Sequence, residues 1–116
     1  MTTYHDLPTE VLVAGEDLSL VVQVIDDDGA VSISGASTSY EVVAAKGADS
    51  ATAHIDDGDP DVDVSVTSAA DGEVTVTLDQ GATDALGGDR YWHRLEVDDI
   101  GTGLQVWHGH LRIKHK

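Results

Sequence analysis

The chain has 116 residues, with 22 acidic and 6 basic side chains, a net charge of −16 and a pI near 4.2. That length implies one domain, the lack of cysteine excludes disulfide staples and thiolate chemistry, and no apolar run approaches the roughly 18 residues of a membrane span. So acidic a body repels phosphate, which argues against nucleic acid as a partner.

Residues 1–9 (MTTYHDLPT) show no periodicity and read as an N-terminal arm; residues 10–116 read as the single domain. No basic n-region followed by an apolar h-region opens the sequence. EVLVA at 10–14 is a short strand closed by Gly15. In 17–26, Leu18, Leu20, Val22 and Val24 alternate with Ser19 and Gln23, the period of a half-buried strand. Asp26 to Gly29 is a turn, and 31–33 make a small strand before Gly35. STSYEVVAA at 37–45 is another strand, ended by Lys46 and Gly47, and 51–55 a weaker one. After the DDGDP loop at 56–60, Val62, Val64 and Val66 alternate with Asp63 and Ser65.

Asp71-Gly72 marks a hairpin leading into Val74, Val76 and Leu78. Residues 82–86 make one helical turn. Gly87-Gly88 open a strand over 90–98, Asp99 to Gly103 turn the chain, and 104–114 form the last strand. Seven to nine short strands with regular turns and no long helix predict an all-β, antiparallel immunoglobulin-like sandwich. There is no Phe and one Met, so β-branched and aliphatic residues, 15 of them Val, fill the core.

Several blocks along the chain form a pattern: Gly15-Glu16-Asp17, Asp27-Asp28-Gly29, Ser34-Gly35-Ala36, the Asp71-Gly72 hairpin, the block from Gly87 to Trp92, Leu95-Glu96-Val97, and Gly109-His110-Leu111-Arg112-Ile113. The pattern resembles the immunoglobulin-like sandwich common in tailed-phage virion proteins, typified by the N-terminal domain of upper baseplate proteins. In that family a Gly-x-Tyr segment starts the penultimate strand and a Gly-x-Leu-x-Val-like segment ends the domain; Tyr91 and 109–113 fit. The acidic loop at 56–63 and the Trp and His residues of the final hairpin depart from it. Few lysines, many aspartates and small apolar residues resemble proteins of haloarchaea or of their viruses. At molar salt the Debye length is about 3 Å, so acid–acid repulsion is screened. The resemblance implies a structural virion component, at the baseplate, tail, neck or capsid surface, that docks on other virion proteins and on copies of itself; the residues themselves call for no cofactor, nucleic acid or membrane.

The site expectation comes from charge. Residues 90–116 hold five of the six cations, both tryptophans and four of the six histidines. If Leu111 and Ile113 face the core, parity puts Trp92, Arg94, Val106, His108, His110 and Arg112 on one external face, and Trp and Arg are enriched at binding hot spots. Arg94 covering Trp92 by a cation–π contact belongs to that picture. The opposite parity buries Trp92 and exposes Trp107. Two imidazoles in His108-x-His110 suit zinc only with a third ligand such as His115. Asp57, Asp59, Asp61 and Asp63 have the spacing of a calcium loop but lack its Gly and its closing Glu. No nucleophile elbow or phosphate-cradling loop is present, so an enzyme is not expected. A carbohydrate-binding or host-adhesion module is the alternative, and it requires a solvent-facing Trp in a groove.

Overall fold

Alternation decides the architecture. The computed structural model describes residues 2–26, 29–44, 55–86, 89–99 and 103–114. In chain order they form β1 (Thr2–Asp6), β2 (Glu10–Val13), β3 (Leu18–Gln23), β4 (Ile25–Asp26), β5 (Gly29–Ala30), β6 (Ser37–Val43), β7 (Ile55–Asp56), β8 (Val62–Ser68), β9 (Glu73–Leu78), α1 (Gln80–Leu86), β10 (Asp89–Asp99) and β11 (Gly103–Lys114). Parts of several expected features lie outside the described residues: Lys46-Gly47, residues 51–54, Gly87-Gly88, the 100–102 part of the last turn, and His115.

One layer is the sheet β1-β11-β10-β6-β7, with β2 also on β11; the other is β3-β9-β8. Leu18, Leu20, Val22, Val74, Val76 and Leu78 face inward from the smaller sheet. Tyr40, Val42, Tyr91, Leu95, Val97, Trp107, Leu111 and Ile113 meet them from the larger one. This is the immunoglobulin-like β-sandwich expected from the turn spacing.

Two details identify the arrangement. At the start of β10 the Tyr91 hydroxyl donates to the Leu86 carbonyl at the end of α1, the tyrosine corner of immunoglobulin-like domains. Two residues on, where antibody domains carry the second cysteine of the inter-sheet disulfide, stands His93. Tyr40, on the strand that carries the buried Trp in those domains, meets His93 edge-on with ring centroids 5.9 Å apart. A hydrogen-bonded Tyr–His pair thus stands in the core at the corresponding positions, within one sheet, in a chain without cysteine.

The structure departs from the sequence reading in three places. Residues 2–6 are no loose arm: β1 pairs parallel with β11, Thr2 opposite Leu104 through Asp6 opposite His108. After a break at Leu7-Pro8-Thr9, β2 continues along the same edge, Glu10 opposite Leu111 through Val13 opposite Lys114. Gly109 faces this break, and a Cβ there would sit 2.8 Å from the Leu7 carbonyl oxygen. The sandwich therefore has two parallel pairings among its antiparallel ones. Second, 31–33 form no strand; Gly29–Ala30 pair back on Ile25–Asp26 instead, while the Ile33 amide donates to the Ala69 carbonyl. Third, the expected single turn of helix extends to Gln80–Leu86 and buries Ala82, Thr83 and Leu86.

Candidate functional site

The β10–β11 ladder sets the site. Its register puts Arg90 opposite Arg112, Trp92 opposite His110, Arg94 opposite His108 and Glu96 opposite Val106. Cross-strand partners share a face, so these eight side chains stand on one side of the sheet. The residues between them, Tyr91, His93, Leu95, Val97, Trp107, Leu111 and Ile113, are buried on the other. The parity question is resolved in favour of Trp107 as core and Trp92 as outer-face residue.

On the outer face the rings form a row. Trp92 meets His108 and His110 edge-on, with centroids 5.1 and 4.9 Å away. Tyr4, from β1, packs tilted against His108 at 5.8 Å and is 67% exposed. Val11, from β2, stands opposite Arg112 and is 49% exposed. His110 and Arg112 are exposed, and Trp92, Arg94 and His108 half-buried. His108 Nε2 lies 3.5 Å from a carboxylate oxygen of Asp6.

Two of the expected residues behave differently from expectation. Val106 shares the outer face but is 2% exposed. Flanked in register by Tyr4 and Glu96, this short side chain sits between larger neighbours and offers little surface. Arg94 ion-pairs with Glu41 across the β6 ladder and with Glu96 at 3.4 Å. These acids orient it along the sheet and offset its charge.

The outer face changes sign along its length. At one end Arg94 shares a small recess with Glu41, Asp56, Asp57 and Glu96. At the other a recess of about 410 Å³ is bounded by Thr9 and Val11 on one side, Ala44 on the other, and Arg90, Trp92, His110 and Arg112 along its floor. No carboxylate is among the described residues that line this second recess. Sequence reasoning missed Tyr4, Thr9 and Val11, because they lie in segments read as an arm or as plain scaffold. It missed Arg90 because that residue lies at the strand start.

The aspartates do not converge. Asp59 caps the Asp56 amide at 2.9 Å, and Asp56 accepts from Gly58 at 2.9 Å, so this loop uses its carboxylates on its own backbone. Asp61 stands against Gly81, and Asp63 is exposed on β8. Among the described residues no three His, Asp or Glu side chains are grouped to hold a metal. No described helix is long and apolar enough to cross a membrane.

Behind the row, inside the core, His93 shares a 2.9 Å hydrogen bond from Nδ1 with the Tyr40 hydroxyl, while its Nε2 has no hydrogen-bond partner. Burial, with a smaller contribution from the His110 charge, lowers its pKa to about 4. Burial also pushes the Tyr40 hydroxyl far above its usual range, and the Glu10 charge adds to this. Both groups are therefore neutral at ordinary pH.

No family model matches the sequence, and no curated protein matches it either. Solved structures do resemble it. InlP of Listeria monocytogenes superposes with a TM-score of 0.53 at 14% identity over 96% of this chain, which spans 27% of that protein's length. The Ig1 domain of mouse SynCAM 2 gives a TM-score of 0.47 at 14% identity over 95% of each chain. The ZIG-8–RIG-5 IG1–IG1 heterodimer gives 0.46 at 18% identity, over 90% of this chain and 80% of that one. At such identity the likeness is one of fold.

Proposed function

We propose that this protein is a non-catalytic docking module, a structural component of a tailed-virus particle adapted to high salt, that binds neighbouring virion proteins through the outer face of its larger sheet. The observation that carries this reading is the ring row Tyr4, His108, Trp92 and His110, flanked by Arg90, Arg94 and Arg112, on the face opposite the core. A chain with so few cations and aromatics places them together on a surface its own fold does not need. In concentrated salt, ion pairs are screened to a few ångströms, so the rings and Val11 supply most of the contact energy and the arginines supply orientation. The acidic body keeps the module soluble and turns nucleic acid away. Neighbouring copies of the chain are among its partners.

The test is assembly. Trp92→Ala and Arg94→Ala variants fold, as read by circular dichroism, and are incorporated into particles at least about tenfold less well, a loss typical of a hot-spot side chain. Normal incorporation of both overturns the reading.

A second reading, a carbohydrate-binding or host-adhesion module, is favoured by one observation: Trp92 lines a concave recess on an open sheet face. Its test is glycan binding by the isolated protein.

A further inference from the structure

We propose that two copies of this chain pair through the outer edge of β1, antiparallel about a twofold axis at Tyr4, so that their larger sheets join into one. This inference rests on the docking reading and names the partner and the strand that meets it.

The backbone supplies the first argument. The Leu7 amide donates to the His108 carbonyl of β11. Hydrogen-bonding direction alternates along a strand, so Thr3 and His5 also turn their amide and carbonyl groups toward β11, while Thr2, Tyr4 and Asp6 turn theirs away. Among the described residues β1 pairs with β11 alone. Those three residues therefore present a row of donors and acceptors to another strand. Lys, Pro and bulges, the usual blocks to such pairing, are absent from Thr2–Asp6. β2, further along the same side of the sheet, is blocked: the Val13 amide donates to Glu16 Oε1 at 2.9 Å, and the Val13 carbonyl accepts from the Glu16 amide at 3.0 Å. On the opposite side β7 has only two residues, and its Asp56 amide donates to Asp59.

The side chains select a second copy. Centred on Tyr4, antiparallel pairing sets Tyr4 opposite its counterpart and Thr2 opposite Asp6 of the second copy. This register uses all the outward residues of β1, makes about six hydrogen bonds across the axis, and keeps the two Asp6 carboxylates apart. Cross-strand partners share a face, so the two Tyr4 rings stand side by side on the outer face. Tyr4 is largely exposed and ends the ring row at the edge of the sheet, packed on His108. Across the axis the row continues through Tyr4, His108 and Trp92 of the second copy, and a ring left in water gains an aromatic neighbour.

Charge favours the same edge. Each copy carries −16, so copies repel wherever acid faces acid. β1 lies against β11, part of the segment 90–116 that holds five of the six cations. The smaller sheet has a long edge strand in β3, but residues 18–78 hold Lys46 as their sole cation, so contact there sets acid against acid. Concentrated salt shrinks the remaining repulsion to a few ångströms. Backbone bonds and ring contact are left, so association strengthens with salt.

Single cysteines in this cysteine-free chain test the geometry. The Cα atoms of a hydrogen-bonded antiparallel pair lie about 5.5 Å apart, within reach of a disulfide. At about 0.1 mM protein, suited to so small a contact, Tyr4→Cys is expected to form a covalent dimer under mild oxidation, about tenfold faster in molar salt than in dilute buffer. Thr2→Cys and Asp6→Cys each stay monomeric alone and cross-link when the two variants are mixed. In sedimentation equilibrium the wild type forms dimers in molar salt. Tyr4→Pro, whose lost N–H points away from β11, keeps its circular dichroism spectrum and dimerises at least about tenfold more weakly; if it misfolds, the cysteine pattern decides alone. Thr2→Cys or Asp6→Cys linking to itself as readily as Tyr4→Cys overturns the proposal. Linkage through Val21→Cys on β3 in place of Tyr4→Cys overturns it too. A wild type that stays monomeric in molar salt, yet enters particles in a Trp92-dependent way, overturns the pair and leaves the docking reading standing. Loss of both behaviours overturns both.

Discussion

The inner and outer faces of the β10–β11 ladder share one backbone and alternate residue by residue, yet they are built on opposite rules. The inner face carries Leu95, Val97, Trp107, Leu111 and Ile113, all buried, with His93 held neutral between them. The outer face carries three arginines, two histidines and Trp92, arranged around a recess and a ring row. The inner set answers to packing, where a lost methylene leaves a cavity. The outer set answers to water and to whatever touches it. Side-chain period alone keeps the two apart, so a one-residue slip in register would exchange them.

The sharpest break in the comparison is a neighbouring pair, Leu111 and Arg112. Leu111→Ala deletes fully buried side-chain volume and is expected to cost about 2–5 kcal/mol in urea unfolding. Arg112→Gln, one residue along and exposed, is expected to stay within about 0.5 kcal/mol of wild type. Similar costs for the two would mean that the faces are not distinct.

Acid sharpens the comparison between histidines. The unfolded chain protonates His93 near its ordinary pKa of about 6.5, whereas the folded chain holds it to about 4. The unfolded state therefore binds more protons between those values, and stability falls as pH drops from about 6.5 to about 4, by roughly 3 kcal/mol for this group. Comparing wild type with His93→Gln across that window removes the background from carboxylates. A slope identical in both proteins would contradict a neutral core histidine.

The smallest expected effect is on the outer face. Arg94→Ala removes an ion pair in which Arg94 is about a third exposed and Glu41 largely buried and should lower stability by about 1 kcal/mol. A larger cost in a chemical melt would move Arg94 from the recognition face into the scaffold.

Much of this was legible in the alternation of the chain. The apolar residues at 18–24, 74–78, 91–97 and 107–113 specify which face is buried, and the turn after Asp99 accounts for the β10–β11 pairing, whereas the pairing of β3 with the distant β9 follows from no turn. The N-terminal strands were not legible. Thr2–Asp6 mixes short polar residues with rings, and its parallel pairing with β11 is set by a distant strand, which local pattern does not encode. Tyr4 was missed for that reason, although Thr2, Tyr4 and Asp6 do alternate with Thr3, His5 and Leu7. Parity placed Trp92, His108, His110 and Arg112 on the right side of the sheet, but parity says nothing about height. Val106 has the outward parity and is covered all the same. The recess was beyond reach because it combines Thr9, Ala44 and Arg90 from three separate strand ends.

Hydroxyl-radical footprinting of the free chain and of the chain in its native assembly compares the two tryptophans directly. Trp107, stacked on His5 at 4.7 Å inside the sandwich, should be protected in both states. Trp92 should oxidise readily when the chain is free and become protected on assembly, together with His108 and His110. Equal oxidation of Trp92 in the two states, or a Trp107 as reactive as Trp92, would contradict an outer face built for contact.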